Sequence, residues 1–304
     1  MAYLPTVRQL QYLVALHAHQ HFGRAAEACF VSQSTLSAGI RELETLLGQT
    51  LVERTRRVVR FTDLGEKVVR RAWRLLSEAE AITELARAAA RPLSGELRLG
   101  VIPTIAPFLL PRILPQLRRQ WPELRLFLRE EQSGPACDAL ARGQLDCVLL
   151  ALPWPCGEIE TEMLFEDPIR LAFHRSDAPR VEGAVPPEAI DERRLLLLED
   201  GHCLRDHALA ACARPGFRPD ASVLGTSLHT LIQMVDNGIG QTLVPQMAID
   251  AGILAGTQVE TRPLAAPDAA RAIALAWRPA SPRAEEYRLL ARSLMAADRA
   301  LRTG

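Results

Sequence analysis

The chain has 304 residues, of which 48% are apolar and 24% charged, and its formal net charge at pH 7 is zero. These ordinary globular values exclude a fibrous or intrinsically disordered chain, and the length favours more than one domain. The N-terminus lacks the basic and continuously apolar stretches of a secretion signal, and no apolar run reaches the roughly 18 residues of a membrane helix, so we expect a cytoplasmic protein without a membrane partner.

The first 50 residues are patterned as three short helices. Apolar residues recur at helical spacing from Val7 to about His17, and RAAEACF is typical of a short helix rich in small residues. Ser32 is a good N-cap for a third helix. The predicted buried face of that helix consists of Leu36, Ile40, Leu43 and Leu47. Its polar positions, the candidates for contacting DNA, are Gln33, Ser34, Thr35, Ser37 and Arg41. Helices in tandem of this kind are what a helix-turn-helix needs to place side chains in the major groove.

A basic segment, LVERTRRVVRFT, follows the third helix. Its apolar residues alternate around Arg54, Arg56 and Arg57, which is typical of a hairpin wing whose guanidinium groups bind phosphates. Residues 1–91 carry 13 lysines and arginines against nine acidic residues, an excess that permits DNA binding but is also compatible with a solvated face. From the pattern alone, a small helical domain with an exposed basic loop remains the alternative.

The run AAEACFVSQSTLSAGIRELETLLGQTLVERT resembles the N-terminal signature of LysR-type transcriptional regulators. That resemblance implies an α/β protein with an N-terminal winged helix-turn-helix, a long linker helix and a C-terminal, two-lobed regulatory domain of periplasmic-binding-protein type. The implied domains are residues 1–62, 63–91 and 92–304, with lobe I at 92–167 and 270–304 and lobe II at 168–269.

The linker pattern predicts a dimer contact. After Gly65 there is no glycine or proline until Pro92, and apolar residues alternate at intervals of four and three. The predicted seam consists of Val68, Ala72, Leu75, Ala79, Ile82, Ala86 and Ala89. A stripe this long on an exposed linker is more often a partner interface than a private core.

From Leu93 onward, strand and helix patterns alternate. ELRLGVIPT, LRLFLREEQ and the end of CDALARGQLDCVLLAL indicate strands, with an interrupted helix over PFLLPRILPQLRRQWP, and RLLLLED and GQTLVP indicate later strands. This alternation favours an open α/β sheet, in which ligands bind beyond the carboxyl ends of the strands.

The cysteines are too few and too scattered for a disulfide framework, so most are expected to be reduced thiols. They are Cys29, Cys137, Cys147, Cys156, Cys203 and Cys212. There is no C-x-x-C pair, and the histidines show no ligand spacing beside the cysteines, so we predict no metal site and no cofactor. Cys147 lies in an apolar strand pattern and is interpreted as buried and inert.

The stretch LEDGHCLRD, with a second cysteine nine residues after the first, resembles the OxyR group of peroxide sensors within the LysR family. IPT, LDCVLLAL, TSLHTL and the tail WRPASP resemble the same group, so the likeness spans nearly the whole chain. It implies that Cys203 is the peroxidatic cysteine and Cys212 the resolving one. It also implies peroxide contacts from Thr104, Ser133 and Arg278, although Ser133 stands where the group commonly has threonine.

The surroundings of Cys203 suit a reactive thiol. A thiolate attacks the O–O bond of peroxide, so neighbours that lower the thiol pKa are expected, and His202 and Arg205 flank Cys203. Nine positions along a helix rise roughly 13 Å, whereas a disulfide needs Cα atoms within about 7 Å. Joining the two cysteines therefore requires this segment to leave any regular helix. The hydroxyls of Thr104 and Ser133 also have an ordinary interpretation as caps of loops or helices.

Together these features predict a peroxide-sensing regulator, not an enzyme, that activates antioxidant genes through a reversible Cys203–Cys212 disulfide. The resemblance implies as partners hydrogen peroxide, double-stranded operator DNA, RNA polymerase, a dithiol reductant of glutaredoxin or thioredoxin type, and further copies of the chain in a homotetramer built as a dimer of dimers. Two alternatives stay open. One is a LysR regulator that binds a small organic effector between its lobes, and the other is a thiol peroxidase that carries a DNA-binding domain.

Overall fold

A computed structural model of the chain describes residues 4–54, 59–88, 92–212, 224–267 and 269–302. The chain divides into two compact units, one built mainly on residues up to Ala86 and the other on residues from Arg87 onward. Of the residues singled out above, Arg56, Arg57 and Ala89 lie outside the described residues, as do the side chains of Arg54 and Ala86. No helix in the described ranges is long and apolar enough to cross a membrane.

The first unit is a winged helix-turn-helix followed by a long helix. Its elements in chain order are α1 (Val7–His19), α2 (Phe22–Ala28), α3 (Gln33–Leu47), β1 (Val52–Arg54), β2 (Val59–Phe61) and α4 (Asp63–Ala88). β1 and β2 pair antiparallel, with Val52 opposite Phe61. The three helices and the hairpin predicted from the sequence are therefore present.

Helix α3 has a defined beginning and end. The Ser32 side chain accepts a hydrogen bond from the Thr35 backbone N–H at 3.1 Å, as predicted for the N-cap, and Gly48 ends the helix in the left-handed region with φ 63°. Leu36, Ile40 and Leu43 are fully buried. The prediction was wrong for Leu47, which is 38% exposed, because the last turn of the helix projects beyond the core.

A glycine allows α1 and α3 to pack closely. A Cβ atom on Gly39 would lie 2.7 Å from the Tyr12 ring, well inside van der Waals contact. The absence of a side chain at this position thus lets the aromatic ring of α1 lie directly on the backbone of α3, which fixes the orientation of the polar face of α3.

Helix α4 differs from the predicted seam. Val69, Ala72 and Leu76 are buried in the core of the first unit. Leu75 is 49% exposed and Ile82 is 73% exposed. Ala72, predicted as part of a partner interface, therefore belongs to the domain's own core, whereas Leu75 and Ile82 remain available to a partner.

The second unit is an α/β domain around one long mixed sheet. The strands of this sheet are β3 (Gly95–Val101), β4 (Leu124–Glu130), β5 (Cys147–Leu152), β6 (Glu160–His174), β9 (Gln241–Pro245), β10 (Val259–Pro263) and β11 (Ala270–Trp277). Two short strands, β7 (Leu197–Leu198) and β8 (Leu224–Gly225), pair with each other. The helices of the second unit are α5 (Ala106–Gln120), α6 (Ser133–Ala141), α7 (Cys203–Ala211), α8 (Leu228–Asp236), α9 (Gln246–Asp250) and α10 (Ala284–Arg302).

The long strand β6 connects the part of this sheet that contains β11, β5, β3 and β4 to the part that contains β9 and β10. Up to Pro168 it pairs with β11, and from Ile169 it pairs with β9, with β10 on its other edge. The sheet order is β10-β6-β11-β5-β3-β4, in which β3 runs parallel to both β4 and β5. The carboxyl ends of β3, β4 and β5 therefore meet at one edge, and the segments that follow them lie close together.

Two elements differ from the sequence patterns. The predicted interrupted helix is the continuous helix α5, which contains both Pro111 and Pro115; its buried face of Phe108, Leu109 and Ile113 supplies the packing that offsets the lost backbone hydrogen bonds. RLLLLED, in contrast, forms only the two-residue strand β7, although its leucines are buried as a strand pattern predicts.

Candidate sensor cysteine site and DNA-binding helix

Cys203 and Cys212 lie at opposite ends of α7. Cys203 is the first residue of the helix and Cys212 follows its last residue; neither is in a disulfide, and they are 1% and 0% exposed. The helical rise separates their Cα atoms by roughly 13 Å. No disulfide can form between them while α7 stays helical.

The turn before α7 depends on a glycine. Gly201 has φ 95°, in the left-handed region that favours glycine, and an added Cβ would lie 2.8 Å from the Gln132 side-chain oxygen. Its carbonyl oxygen accepts a hydrogen bond from the Ser133 N–H at 3.2 Å. This bond ties the N-terminus of α6 to the residue two positions before Cys203.

The Cys203 thiol is not activated as the sequence suggested. Burial raises the pKa of Cys203 above its ordinary value, and the positive charge of Arg271, the Ser133 hydroxyl and a backbone hydrogen bond from Ala151 only partly oppose this effect. The expectation that its neighbours hold this pKa low was therefore wrong for the conformation with α7 formed. In that conformation the thiol keeps its proton at neutral pH.

Arg271 is the main residue that the sequence patterns missed. Its guanidinium is fully buried and forms an ion pair with Asp167 at 2.9 Å, and Asp167 also accepts from the Met247 N–H at 2.8 Å. Arg271 additionally donates to both the hydroxyl and the carbonyl oxygen of Thr104, at 2.8 and 2.9 Å. The available signal was an arginine inside the otherwise apolar strand pattern ARAIALAW, because a charge there requires a buried partner.

Two buried hydroxyls belong to the same cluster as the thiol, since Ser133 acts on Cys203 directly and Thr104 binds Arg271, which also acts on it. Thr104 follows β3, and since its oxygen accepts from Arg271 its own hydrogen is free to be donated. Ser133 Oγ lowers the pKa of Cys203, yet it forms no hydrogen bond of normal geometry with any of the described residues. A buried hydroxyl without a well-placed partner can bind a small polar ligand.

His202 lies beside the thiol but supplies no charge. Its Nε2 is 3.1 Å from Gln132 Nε2, which can only donate, so His202 Nε2 accepts and the ring proton lies on Nδ1. Gln132 Nε2 also donates to Glu199 at 3.1 Å. Burial lowers the pKa of His202, more than Glu199 raises it. A neutral imidazole orders this turn rather than stabilising a thiolate by charge.

The other two predicted cationic helpers have different partners. Arg205 forms an ion pair with the exposed carboxylate of Asp200. Arg278 donates to the carbonyl oxygens of Leu140 and Leu145, both at 2.8 Å. Arg271 is the cation with the main effect on the pKa of Cys203, so the role of Arg205 and Arg278 beside this thiol stays a prediction.

His207 and Cys147 are two further buried residues in this unit. His207, in the middle of the helix, is buried, and its Nε2 is 3.1 Å from the Pro153 carbonyl oxygen. Cys147 is fully buried in β5, and burial raises the pKa of Cys147 well above its ordinary value. It is buried, as predicted, and its raised pKa makes it a poor nucleophile.

The N-terminal half of α3 exposes polar side chains. Gln33, Ser34, Thr35 and Arg41 are exposed, and Ser37 is half-buried. The hydroxyls of Ser34 and Thr35 each lie 2.8 Å from Ser32 Oγ, so the helix start carries a small network of donors and acceptors. An exposed polar helix face of this kind is able to enter a major groove.

Comparison with known proteins places both units in one family. Residues 7–66 match the bacterial regulatory helix-turn-helix protein of the lysR family, and residues 90–299 match the LysR substrate binding domain. The HTH-type transcriptional regulator EstR of Acinetobacter baylyi is 46% identical over 254 residues, 84% of each chain. The hydrogen peroxide-inducible genes activator of Dickeya chrysanthemi is 41% identical over 288 residues, 95% of this chain and 94% of that protein.

The solved structures show the same likeness. A full-length OxyR variant from Pseudomonas aeruginosa is 37% identical and superposes with a TM-score of 0.81, over 96% of this chain and 95% of the other. The chain belongs to the LysR family of transcriptional regulators, so it is a DNA-binding regulator rather than an enzyme. Within that family it resembles OxyR along nearly its whole length, which confirms the resemblance seen in the sequence.

Proposed function

We propose that this regulator senses hydrogen peroxide through Cys203 and is switched by a reversible Cys203–Cys212 disulfide. The observation that carries the proposal is the placement of two reduced, buried thiols at the two ends of a nine-residue helix, with the buried Ser133 hydroxyl acting on the first. The name of the Dickeya relative supports the choice of peroxide as the signal.

The first step oxidises Cys203. Peroxide binds through the Thr104 and Ser133 hydroxyls, the sulfur of Cys203 attacks one oxygen, and the O–O bond breaks. The thiol proton and the departing hydroxide leave as water, and Cys203 becomes a sulfenic acid. Arg271 stabilises negative charge that develops on sulfur and oxygen, because it is buried and its charge is poorly screened.

The second step changes the structure. Helix α7 unwinds, the Cys212 thiol attacks the sulfenic sulfur, and a second water leaves as the disulfide forms. The refolded segment then changes DNA contacts and activates antioxidant genes. A cellular dithiol of glutaredoxin or thioredoxin type resets the switch by reducing the disulfide to two thiols while becoming a disulfide itself.

The DNA-binding half of the proposal concerns α3 and the wing. Gln33, Ser34, Thr35, Ser37 and Arg41 read the operator, and Arg54, Arg56 and Arg57 bind its phosphates. Neutralising the wing arginines should weaken binding to all sequences and flatten its salt dependence, whereas changing Gln33 or Ser34 should alter sequence preference. The regulator acts in the cytoplasm as a homotetramer, a dimer of dimers, and recruits RNA polymerase.

A thiol count before and after one equivalent of peroxide tests the sensor. We expect the wild-type chain to lose two of the four thiols that are not in a disulfide and a Cys203→Ser variant to lose none. A Cys29→Ser variant is the matched control, because Cys29 is a free cysteine of the DNA-binding unit, and it should still lose two.

The other outcomes separate the alternatives. An unchanged thiol count in the wild type would exclude the sensor and favour a LysR regulator with a small organic effector. Sustained consumption of peroxide in the presence of a dithiol, far beyond one equivalent per chain, would instead favour a thiol peroxidase.

A further inference from the structure

A second pair of cysteines is joined in the regulatory unit. Cys137 and Cys156 form a disulfide with Cα atoms 5.2 Å apart, although 19 residues separate them in the sequence. Neither residue belongs to the Cys203–Cys212 motif, and no sequence pattern gave either of them a role.

This disulfide links two segments that contact α7 or the turn before it. Cys137 lies in α6, the helix that begins at Ser133 beside the Cys203 thiol. Cys156 lies in the connection between β5 and β6, three residues after Pro153. The carbonyl oxygen of Pro153 is the hydrogen-bond partner of His207, in the middle of α7.

The two linked segments differ in what else fixes them. Helix α6 has its own backbone hydrogen bonds, so the position of Ser133 depends little on a bond at Cys137. The connection at 153–159 contains neither helix nor strand. Opening the disulfide therefore frees Pro153 far more than it frees Ser133.

We propose that Cys137 and Cys156 are a second redox-active pair, which controls how readily α7 leaves its packed position. When the pair is closed, Pro153 is fixed and its hydrogen bond to His207 resists unwinding. When the pair is open, the connection follows the helix and that resistance falls. This inference rests on the proposed function, because it requires α7 to unwind when Cys212 condenses with Cys203.

The chemistry of the pair balances with reagents of two classes. A hydroperoxide oxidises one thiol to a sulfenic acid, and its O–O bond breaks to release an alcohol, or water if the oxidant is hydrogen peroxide. The other thiol then attacks the sulfenic sulfur and displaces water to form the disulfide. A dithiol reductant reverses this by transferring two hydrogens and becoming a disulfide. Cys137 and Cys156 are 7% and 8% exposed, against 1% and 0% for Cys203 and Cys212, so the second pair is the more accessible one.

Peptide mapping tests whether the pair is redox-active. Trypsin cleavage after Arg142 places Cys137 and Cys156 on different peptides, and fragment spectra distinguish Cys156 from Cys147 on their shared peptide. We expect the linked peptide to disappear when the folded protein is treated with a dithiol and to return with a hydroperoxide. A bond that resists the dithiol, or that does not return, overturns the proposal.

The same mapping in a Cys203→Ser variant separates the two proposals. Because the second pair reacts directly with the hydroperoxide, the linked peptide should return in this variant as it does in the wild type. That result holds even if the proposed function fails. A linked peptide that returns only when Cys203 is present would contradict direct oxidation of the pair.

Kinetics test the control over α7. After one equivalent of peroxide, a dimedone-type probe traps the Cys203 sulfenic acid, and mapping follows the Cys203–Cys212 disulfide, whose cysteines are separated by cleavage after Arg205. A Cys137→Ser/Cys156→Ser variant should form the sulfenic acid at the wild-type rate and the disulfide several-fold faster. Cys29→Ser is the matched control and should change neither rate.

A second measurement avoids substitutions altogether. Wild-type protein reduced at all cysteines should condense, during the time before the Cys137–Cys156 linked peptide returns, as fast as the double serine variant and faster than wild-type protein with the pair closed. Equal condensation rates in the open and closed forms overturn the control of α7. If Cys203 is not oxidised in any form, the proposed function fails and this control fails with it, while the linked peptide still decides whether the pair is redox-active.

Discussion

The two helices to which the proposed function assigns DNA reading and switching, α3 and α7, are built in opposite ways. α3 has 15 residues, a Ser32 cap at its start and a left-handed glycine at its end. α7 has nine residues, no side-chain cap at its start, and ends at Cys212 without a left-handed residue. Helices this short are marginal on their own, so α7 depends on the groups it packs against.

Under the proposed function, this difference separates DNA reading, which needs a fixed helix, from switching, which needs a helix that can unwind. The polar face of α3 is exposed and its helix is fixed locally, so base-reading side chains can vary while the helix persists. In α7 both thiols are buried, and the short helix lacks a side-chain cap, so its stability depends on tertiary contacts. In α7, therefore, a change in packing also changes thiol reactivity and the ease of unwinding. In α3, a change of an exposed polar side chain leaves the packing of the helix unchanged.

The largest effect is expected at the buried ion pair beneath α7. Replacing Arg271 by methionine leaves the Asp167 carboxylate buried without its partner, which should lower the free energy of unfolding by about 3–5 kcal/mol. In the Asp167→Asn/Arg271→Met variant the loss should be much smaller, because the oxygen of the new side-chain amide still accepts from the Met247 N–H and no charge is left buried. Urea unfolding followed by circular dichroism measures both.

The same double variant tests which arginine acts on the thiol. Without Arg271 the pKa of Cys203 should rise further, so its reaction with peroxide should shift to higher pH. Arg278→Met is the matched control and should leave this pH profile unchanged, since Arg278 donates to backbone carbonyls. A shift in the Arg278 variant alone would support the role that the sequence resemblance implied.

The roles of residues that depend on local spacing and capping could be predicted from the sequence. The roles of residues that depend on tertiary contacts could not. The Ser32 cap and the buried leucines of α3 follow from spacing and capping chemistry, and both were predicted. Cys203, Thr104 and Ser133 were named through family likeness. Arg271 reaches the thiol only because β11 returns beside β5 late in the chain, and no local pattern reveals that pairing.

The pKa of Cys203 shows the same limit. Flanking charges at His202 and Arg205 suggested a lowered value, but the fold turns Arg205 toward Asp200 and buries His202 in its neutral form. Burial is the dominant effect on this thiol, and burial depends on how α7 packs against the sheet. The sequence shows that His202 and Arg205 are adjacent to Cys203, but it does not show where their side chains point.

A cap added to α7 should make it behave more like α3. His202 is the N-cap and makes no side-chain cap bond, so His202→Ser should stabilise the helix by about 1 kcal/mol relative to His202→Ala. The Cys203–Cys212 disulfide should then form several-fold more slowly in the serine variant than in the alanine variant. Rapid alkylation and peptide mapping measure these rates.

The converse change in α3 completes this comparison. Ser32→Ala removes the cap bond and should cost about 1 kcal/mol of helix stability. It should weaken DNA binding and leave disulfide formation unchanged. Equal rates for the serine and alanine variants at position 202 would show that the end of α7 does not limit its unwinding.

The same alanine-to-glycine change should have different consequences in the two helices. Ala210→Gly, at an exposed position of α7, costs up to about 1 kcal/mol of helix stability and should speed disulfide formation, because the helix must unwind first. Ala38→Gly in α3 should lower DNA affinity with no change in disulfide formation. Band-shift titration measures DNA affinity and thiol mapping measures disulfide formation in both variants. A variant that changes both quantities would contradict this separation.

The smallest expected effect is the response of α7 to acid. Burial lowers the pKa of both His202 and His207 from the ordinary value of 6.5, and the remaining ring nitrogen of His207 has no hydrogen-bond partner among the described residues. A lowered pKa contributes stability that is present above about 6.5 and lost as the pH falls through the folded-state value. The free energy of unfolding should therefore decrease below about pH 6.5. His207→Gln should reduce this pH dependence, since a glutamine amide can donate to the Pro153 carbonyl without titrating. His19→Gln, at an exposed position of α1, is the control and should not change the pH dependence. An equal reduction in both variants would place the acid response outside α7.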